Sequence, residues 1–195
     1  MMNPEWMNKK ERLKQLLTEK SFQYSDTPKF KLVSGAVSQY YIDCKMTTLL
    51  SHGKVLIGEI LFEMIKSLNI KGIGGLTLGS DPIANAVAFV AGLHGLDMIS
   101  FVIRKEAKKH GTQKWIEGDM RAGDRVVVID DVITTGGSTI KAIDRAEEAG
   151  LTILKTIVLV DREEGGRENI LARGYDVEAV FTKSELRAAF EKRRG

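Results

Sequence analysis

The spacing of apolar residues changes several times along this chain. From Glu5 to Lys20, Leu13, Leu16 and Leu17 fall on one face at helical spacing, which predicts an amphipathic helix. Phe30 to Lys45 reads as extended, with the turn-like Ser34-Gly35 before Tyr40-Tyr41-Ile42-Asp43. A second helix is predicted from Ser51 or His52 to Asn69, carrying Val55, Leu56, Ile60, Phe62, Met64 and Ile65. Short apolar runs then alternate with helical patterns. Strands are predicted at Ile73–Leu78, Met98–Ile103, Arg125–Ile129, Ile153–Val160 and Val177–Phe181. The intervening helices are Asp81–His94, Ser138–Ala149, Arg167–Arg173 and, last, Lys183 or Ser184 to Lys192. Pro82 suits a first helical turn, Gly150 a helix end, and Ser184 an N-cap.

Strands that alternate with helices build right-handed βαβ units, so the fold class is α/β with a mostly parallel sheet flanked by helices. The continuous apolar runs at Arg125–Ile129 and Ile153–Val160 suit strands covered on both faces. The first fifty or so residues do not share the alternation and are expected to form a small N-terminal hood. No repeat or linker divides the chain, so residues 1–195 are read as a single domain. In open α/β sheets ligands bind beyond the carboxyl ends of the strands. The chemistry is therefore expected just after Leu78, Ile103, Ile129 and Val160.

Composition narrows the class. With 43% hydrophobic residues the chain can bury a core, and a net charge of +3 is too balanced for a general nucleic-acid or membrane binder. A single cysteine, Cys44, allows no intrachain disulfide, and it is read as a small packed residue. No apolar run reaches the roughly 20 residues a spanning helix needs, and the N-terminus lacks the apolar stretch of a signal peptide. A cytoplasmic location is the expectation.

Three segments carry candidate chemistry. Asp130-Asp131-Val132-Ile133-Thr134-Thr135-Gly136-Gly137-Ser138 follows a buried strand and opens a helix. Glycines let a backbone approach a phosphate, and successive N–H groups at a helix start cradle an anion. The hydroxyls of Thr134, Thr135, Ser138 and Thr139 add donors. Two carboxylates beside such a cradle repel phosphate unless they serve ribose hydroxyls or a magnesium ion. The pattern is neither a Walker loop nor a dinucleotide fingerprint. The segment Arg104 to Glu117 gathers Arg104, Lys105, Lys108, Lys109 and Lys114 against few acids, and its His110 titrates near neutrality. At roughly 15 residues it is long enough to act as a lid over a charged leaving group, or to be an ordinary mobile surface loop. Asp161-Arg162-Glu163-Glu164-Gly165-Gly166 follows another buried strand. Arg162 there can fork onto a ligand carboxylate or pair with Glu163 or Glu164.

The run Val126 to Thr139 resembles the phosphoribosyl pyrophosphate signature of type I phosphoribosyltransferases: apolar residues, two acids, then a Thr/Gly-rich loop. The Arg-Lys-x-x-Lys-x-His-Gly pattern at 104–111 is similar to the catalytic loop of the orotate phosphoribosyltransferases within that family. Ser34-Gly35 and Ser38-Gln39-Tyr40-Tyr41-Ile42-Asp43 resemble that family's N-terminal element, and Leu78-Gly79-Ser80-Asp81 stands at its pyrophosphate loop. The resemblance runs from about Phe30 to the last helix.

The resemblance implies transfer of ribose 5-phosphate from phosphoribosyl pyrophosphate to orotate, giving orotidine 5′-monophosphate and pyrophosphate, in pyrimidine synthesis. It implies Lys105, Lys108 and His110 as catalytic residues. Phosphoribosyl pyrophosphate would be bound by Arg104, Lys105, Lys108, His110, Asp130, Asp131, Val132, Ile133, Thr134, Thr135, Gly136, Gly137 and Ser138. Orotate would meet Thr134, Arg162, Tyr41 and Ile42. Mg2+ would be bound mainly through substrate, with no direct protein ligand assigned. The family arrangement also implies a homodimer in which the loop 104–117 is shared between subunits. Cations that some members carry are replaced here by Val33, Ala36 and Asp81. A transferase for another base, or a phosphoribosyl pyrophosphate-sensing regulator, are the competing readings. The loop at 108–111 and Arg162 argue against the first, and the lack of spare length for a nucleic-acid module argues against the second.

Overall fold

The computed structural model describes residues 4–31, 35, 37–106 and 115–194. In chain order the elements are α1 (Pro4–Lys20), β1 (Phe22–Tyr24), β2 (Phe30–Lys31), β3 (Val37–Ser38), β4 (Tyr40–Ile42), α2 (Lys45–Thr48), α3 (Ser51–Ile65), β5 (Gly72–Leu76), α4 (Asp81–Leu93), β6 (Ile99–Ile103), β7 (Ile116–Glu117), β8 (Arg125–Ile133), α5 (Gly137–Glu148), β9 (Thr152–Asp161), α6 (Gly166–Leu171), β10 (Val177–Thr182) and α7 (Lys183–Arg194). Six strands form one sheet in the order β10-β9-β8-β5-β6-β7, parallel except for β7 against β6. The N-terminal strands stand apart as two antiparallel pairs, β1 with β4 and β2 with β3. The α/β class and the separate N-terminal elements agree with the sequence pattern.

Period-two alternation explains why the sheet is covered on both faces. Along β8, Val127 and Ile129 enter a core with α1, α3 and α4, while Val126 and Val128 enter a second core with α5 and α6. Cys44 is fully buried in the first core, as expected of a small packed residue, and burial pushes its thiol up.

Several boundaries differ from the sequence pattern. Strand β8 continues through Asp130 and Asp131 to Ile133, where the pattern stopped at Ile129. Asp is a poor strand former, but Asp130, Val132 and Ile133 pair in register with Val158, Val160 and Asp161 of β9, and that ladder overrides local preference. The extended segment 30–45 is broken into strands of two or three residues, and Lys45 opens a helix. Helix α3 ends at Ile65, before Asn69, which takes a positive φ of 41°. The last helix is capped by Thr182 rather than Ser184. The N–H of Glu185 donates to Thr182 Oγ1 (3.2 Å) and the N–H of Thr182 donates to Glu185 Oε2 (2.8 Å), a reciprocal capping box.

The chain passes from β5 to β6 on one side and returns to β8 on the other. The carboxyl ends of β5 and β8 therefore diverge side by side, and this is the switch point at which α/β sheets bind ligands. The first core supports this notch from one side. Leu61 on α3 is fully buried there. Leu61→Ala is expected to lower stability by about 2–5 kcal/mol in urea unfolding, because the cavity cannot fully collapse.

Candidate active site

Alternation along β8 sends its two carboxylates to opposite faces at the end of the sheet. Asp130 turns toward α5. Its Oδ2 accepts the hydroxyls of Ser138 (2.7 Å) and Thr139 (2.8 Å), and its Oδ1 accepts the N–H of Asp131 (3.0 Å). Asp131 turns toward the N-terminal elements. Its Oδ1 accepts the N–H of Val132 (2.9 Å), and its Oδ2 lies 3.9 Å from Lys45 Nζ. Both residues are less than a tenth exposed. Burial raises both carboxyls above the usual Asp range. For Asp130 the Ser138 and Thr139 hydroxyls oppose the rise. Asp131 is pushed up to about 6, by burial first and by the charge of Asp130 second, with Lys45 opposing.

The loop after β8 turns sharply at Gly136, whose φ of +82° lies in the left-handed region that favours glycine. Helix α5 then starts with no side-chain cap among the described residues. Its first N–H groups are left for an anion, aided by the positive end of the helix dipole. Here the structure corrects one expectation. The hydroxyls of Ser138 and Thr139 do not point out as anion donors, because both are given to Asp130. The cradle is a backbone cradle, and Thr134 and the exposed Thr135 and Gly137 form its open side. Val132 is half-buried against the first core, and the Ile133 side chain is fully buried in the second, so Ile133 presents only backbone.

The turn after β9 packs directly on this loop. The N–H of Arg162 donates to the carbonyl of Ile133 (3.0 Å), and Asn169 Nδ2 donates to the carbonyl of Thr135 (3.0 Å). Arg162 is 6% exposed and its Nη2 sits 2.9 Å from Glu164 Oε1. Its buried Nε has no hydrogen-bond partner among the described residues. Of the pairings that the sequence allowed for Arg162, the ion pair with Glu164 is therefore present.

On the other side of the notch, the turn after β5 runs through Thr77, Leu78, Gly79 and Ser80 into α4. Thr77 Oγ1 donates to Asp81 Oδ2 (2.7 Å), and Ser80 Oγ donates to the carbonyl of Leu76 (3.0 Å). A Cβ on Gly79 would lie 2.3 Å from Asp131 Oδ1, so only glycine lets this turn approach the carboxylate. Asp81 is thus a structural acceptor in this turn.

Arg104 and Lys105 begin the basic loop. The N–H of Arg104 donates to the carbonyl of Trp115 (2.9 Å), and its Nη1 pairs with Glu117 Oε1 (3.1 Å). Arg104 thus helps to close the base of the loop. Lys141 Nζ of α5 donates to the carbonyl of Lys105 (2.7 Å), and the Arg145 guanidinium lies 3.6 Å from the Trp115 ring centre. Helix α5 therefore grips the loop base as well as forming the cradle. Lys108 and His110 lie outside the described residues, as do Val33 and Ala36. Tyr41 is 38% exposed and stacks on Phe30, with ring centres 5.7 Å apart, whereas Ile42 is buried in the first core. The sequence reading missed Lys45, Lys141 and Arg145. Only Lys45 had a local signal, two residues after Asp43.

The site thus joins a backbone anion cradle, two carboxylates and a buried arginine at one switch point. A model of the phosphoribosyl transferase domain family matches residues 49–180. An orotate phosphoribosyltransferase of Aquifex aeolicus is 45% identical over 180 residues, covering 92% of this chain and 98% of that one. The crystal structure of an orotate phosphoribosyltransferase of Mycobacterium tuberculosis with Fe(III) dicitrate matches with a TM-score of 0.78 and 33% identity, covering 91% of this chain and 98% of that one. A structure of the same enzyme with 5-phospho-alpha-D-ribosyl 1-diphosphate matches with a TM-score of 0.73 and 30% identity, over the same shares. The chain belongs to the phosphoribosyltransferase family, in its orotate branch.

A folded carboxyl held near 6 takes up a proton before its unfolded counterpart does. Its contribution to stability is therefore present at low pH and is lost as pH rises through about 6. Asp131→Asn should remove that loss. In urea unfolding at pH 7.5 the variant is expected to be the more stable by about 1–3 kcal/mol, and the two proteins should converge toward pH 4.

Proposed function

We propose that this protein transfers ribose 5-phosphate from phosphoribosyl pyrophosphate to orotate, forming orotidine 5′-monophosphate and pyrophosphate in pyrimidine synthesis. The observation that carries the proposal is the backbone cradle at Gly136–Thr139 joined to the Asp130–Asp131 pair at the switch point. The relatives' name, and the mycobacterial complex with 5-phospho-alpha-D-ribosyl 1-diphosphate, support the choice of substrates.

In this reading the first N–H groups of α5 hold the 5′-phosphate, and Asp130 and Asp131 accept the ribose hydroxyls. Thr134 meets the pyrimidine edge, and Arg162 takes the orotate carboxylate, exchanging it for its pairing with Glu164. Tyr41 borders the ring on the hood side. Lys105, Lys108 and His110 neutralise the departing diphosphate while the orotate nitrogen bonds to C1′. Fixed donors and exclusion of water stabilise the cation-like ribosyl group between the two partial bonds.

Mg2+ fits this site as a partner of the substrate. Among the described residues no group of three or more His, Cys, Asp or Glu side chains could cage a metal ion. The two hard carboxylates instead border the ribose hydroxyls, and Mg2+ is commonly held by substrate phosphates with few protein ligands. When bound, it supplies charge neutralisation on the diphosphate. Omitting magnesium is expected to suppress turnover.

We also infer a homodimer in which the loop 104–117 serves the neighbouring subunit. Leu49, Val55, Leu78, Phe89 and Leu93 expose an apolar face across α3 and α4, with Phe89 69% and Leu93 72% exposed. They line a groove of about 650 Å³ that reaches the turn at Leu78 and Asp81. An apolar face of this kind, beside the site itself, suits a second copy of the chain. Among the described residues no helix is long and apolar enough to cross a membrane. Small charged substrates that do not cross bilayers fit action in the cytoplasm.

Two experiments test this reading. Orotate absorbance should fall when both substrates and magnesium are supplied, whereas no loss of orotate, or turnover of a purine in its place, would overturn the assignment. Arg162→Ala and Lys108→Ala subunits should each be inactive alone and should recover part of the activity when mixed. Failure of the mixture, with both variants folded and dimeric, would contradict loop sharing.

A further inference from the structure

Among the described residues, few cations stand beside the two carboxylates of the site. Phosphoribosyl pyrophosphate brings a phosphate and a diphosphate toward a notch that already holds two carboxylates. The N–H groups of α5 serve one anion only. The turn 77–81 adds Asp81, an acid, and Arg104 is engaged by Glu117. Arg162 is paired with Glu164 on the base side of the site.

Lys45 stands where the deficit lies. It opens α2, directly after the short strand β4, and its own N–H donates to Asp43 Oδ1 (3.1 Å). Its Nζ lies 2.7 Å from the same oxygen and 3.9 Å from Asp131 Oδ2. Asp43 thereby fixes both ends of the residue and aims the ammonium at the end of β8. The side chain is 41% exposed, so it keeps access to solvent while its ammonium lies beside Asp43 and Asp131. Asp131 in turn rests against Gly79, so Lys45, Asp131 and the turn after β5 converge on the hood side of the switch point. Asp130 and the phosphate cradle lie on the opposite face of β8. A ligand whose 5′-phosphate sits on α5 and whose ribose spans the carboxylates directs its other end toward Lys45.

We propose that Lys45 is a substrate-binding residue that contacts the diphosphate of phosphoribosyl pyrophosphate. The proposal rests on the reading of the site as a phosphoribosyl pyrophosphate site. It adds a contact from the hood that is independent of the basic loop. An ammonium with three donors can keep Asp43 and still engage a phosphate oxygen. Its pairing with Asp131 also keeps that carboxylate from repelling the incoming charge.

Calorimetric titration with magnesium present tests this without requiring turnover. The probes are phosphoribosyl pyrophosphate, inorganic pyrophosphate and ribose 5-phosphate, and the proteins are wild type, Lys45→Met and Lys45→Arg. Lys45→Met should weaken phosphoribosyl pyrophosphate and pyrophosphate by about 10- to 100-fold, the scale of one charge-assisted contact. Ribose 5-phosphate, which lacks the diphosphate, should change by less than about 3-fold. Lys45→Arg should restore most of the loss. In steady-state assays the loss should appear in KM for phosphoribosyl pyrophosphate more than in kcat. Equal weakening of all three ligands would overturn the diphosphate contact and leave Lys45 as a support for Asp131. Unchanged binding with a lowered melting temperature would make it purely structural. An enzyme that binds phosphoribosyl pyrophosphate through Lys45 yet ignores orotate would refute the orotate assignment alone.

Discussion

The site depends on a buried carboxylate that the fold must keep satisfied. A charge taken out of water is costly unless hydrogen bonds replace its hydration. Asp130 meets that demand with two hydroxyls from the first turn of α5 and one backbone N–H. The same bonds fix where the helix begins relative to the end of β8. Because Ser138 and Thr139 turn inward, the N–H groups of that first turn are the donors left outside. The anion cradle therefore follows from how the acid is buried.

Strand pairing does the rest. The ladder between β8 and β9 carries Asp130 and Asp131 to the carboxyl end of the sheet, and alternation sends one to each face. Adjacent acids in sequence thus become two separate acceptors rather than an acid–base pair. The β9 partner delivers Arg162 at the same level, and its N–H closes on the carbonyl of Ile133. On the opposite side, Gly79 lets the turn after β5 touch Asp131. Three connections, after β5, β8 and β9, therefore meet at one switch point. The α5 helix also holds the base of the basic loop through Lys141 and Arg145, so the open first turn of α5 and the loop base share one element.

The central βαβ succession was legible in the sequence because its signals are local: apolar runs of strand length, helical spacing, and Gly or Pro punctuation. The Thr/Gly-rich run after Asp131 was legible for the same reason. What depended on distant partners was not. The continuation of β8 through two acids comes from pairing with β9, against the preference of Asp. The inward turn of Ser138 and Thr139 is decided by a carboxylate eight or nine residues away in sequence. Thr182 and Glu185 fit a local capping pattern, but Ser184 is an equally good cap by residue type, and only the fold decides between them. Lys45 carried only a weak local signal, its place two residues after Asp43. Its meaning appears only when the hood folds against the end of β8.

The central claim is that one ribose phosphate bridges the α5 cradle and the Asp130–Asp131 pair. A crystal structure with ribose 5-phosphate bound tests it most directly. The account predicts the phosphate on the backbone N–H groups between Gly136 and Thr139, with the ribose hydroxyls on the two aspartates. A phosphate bound instead at the turn 77–81, or a ribose that leaves both carboxylates untouched, would contradict it.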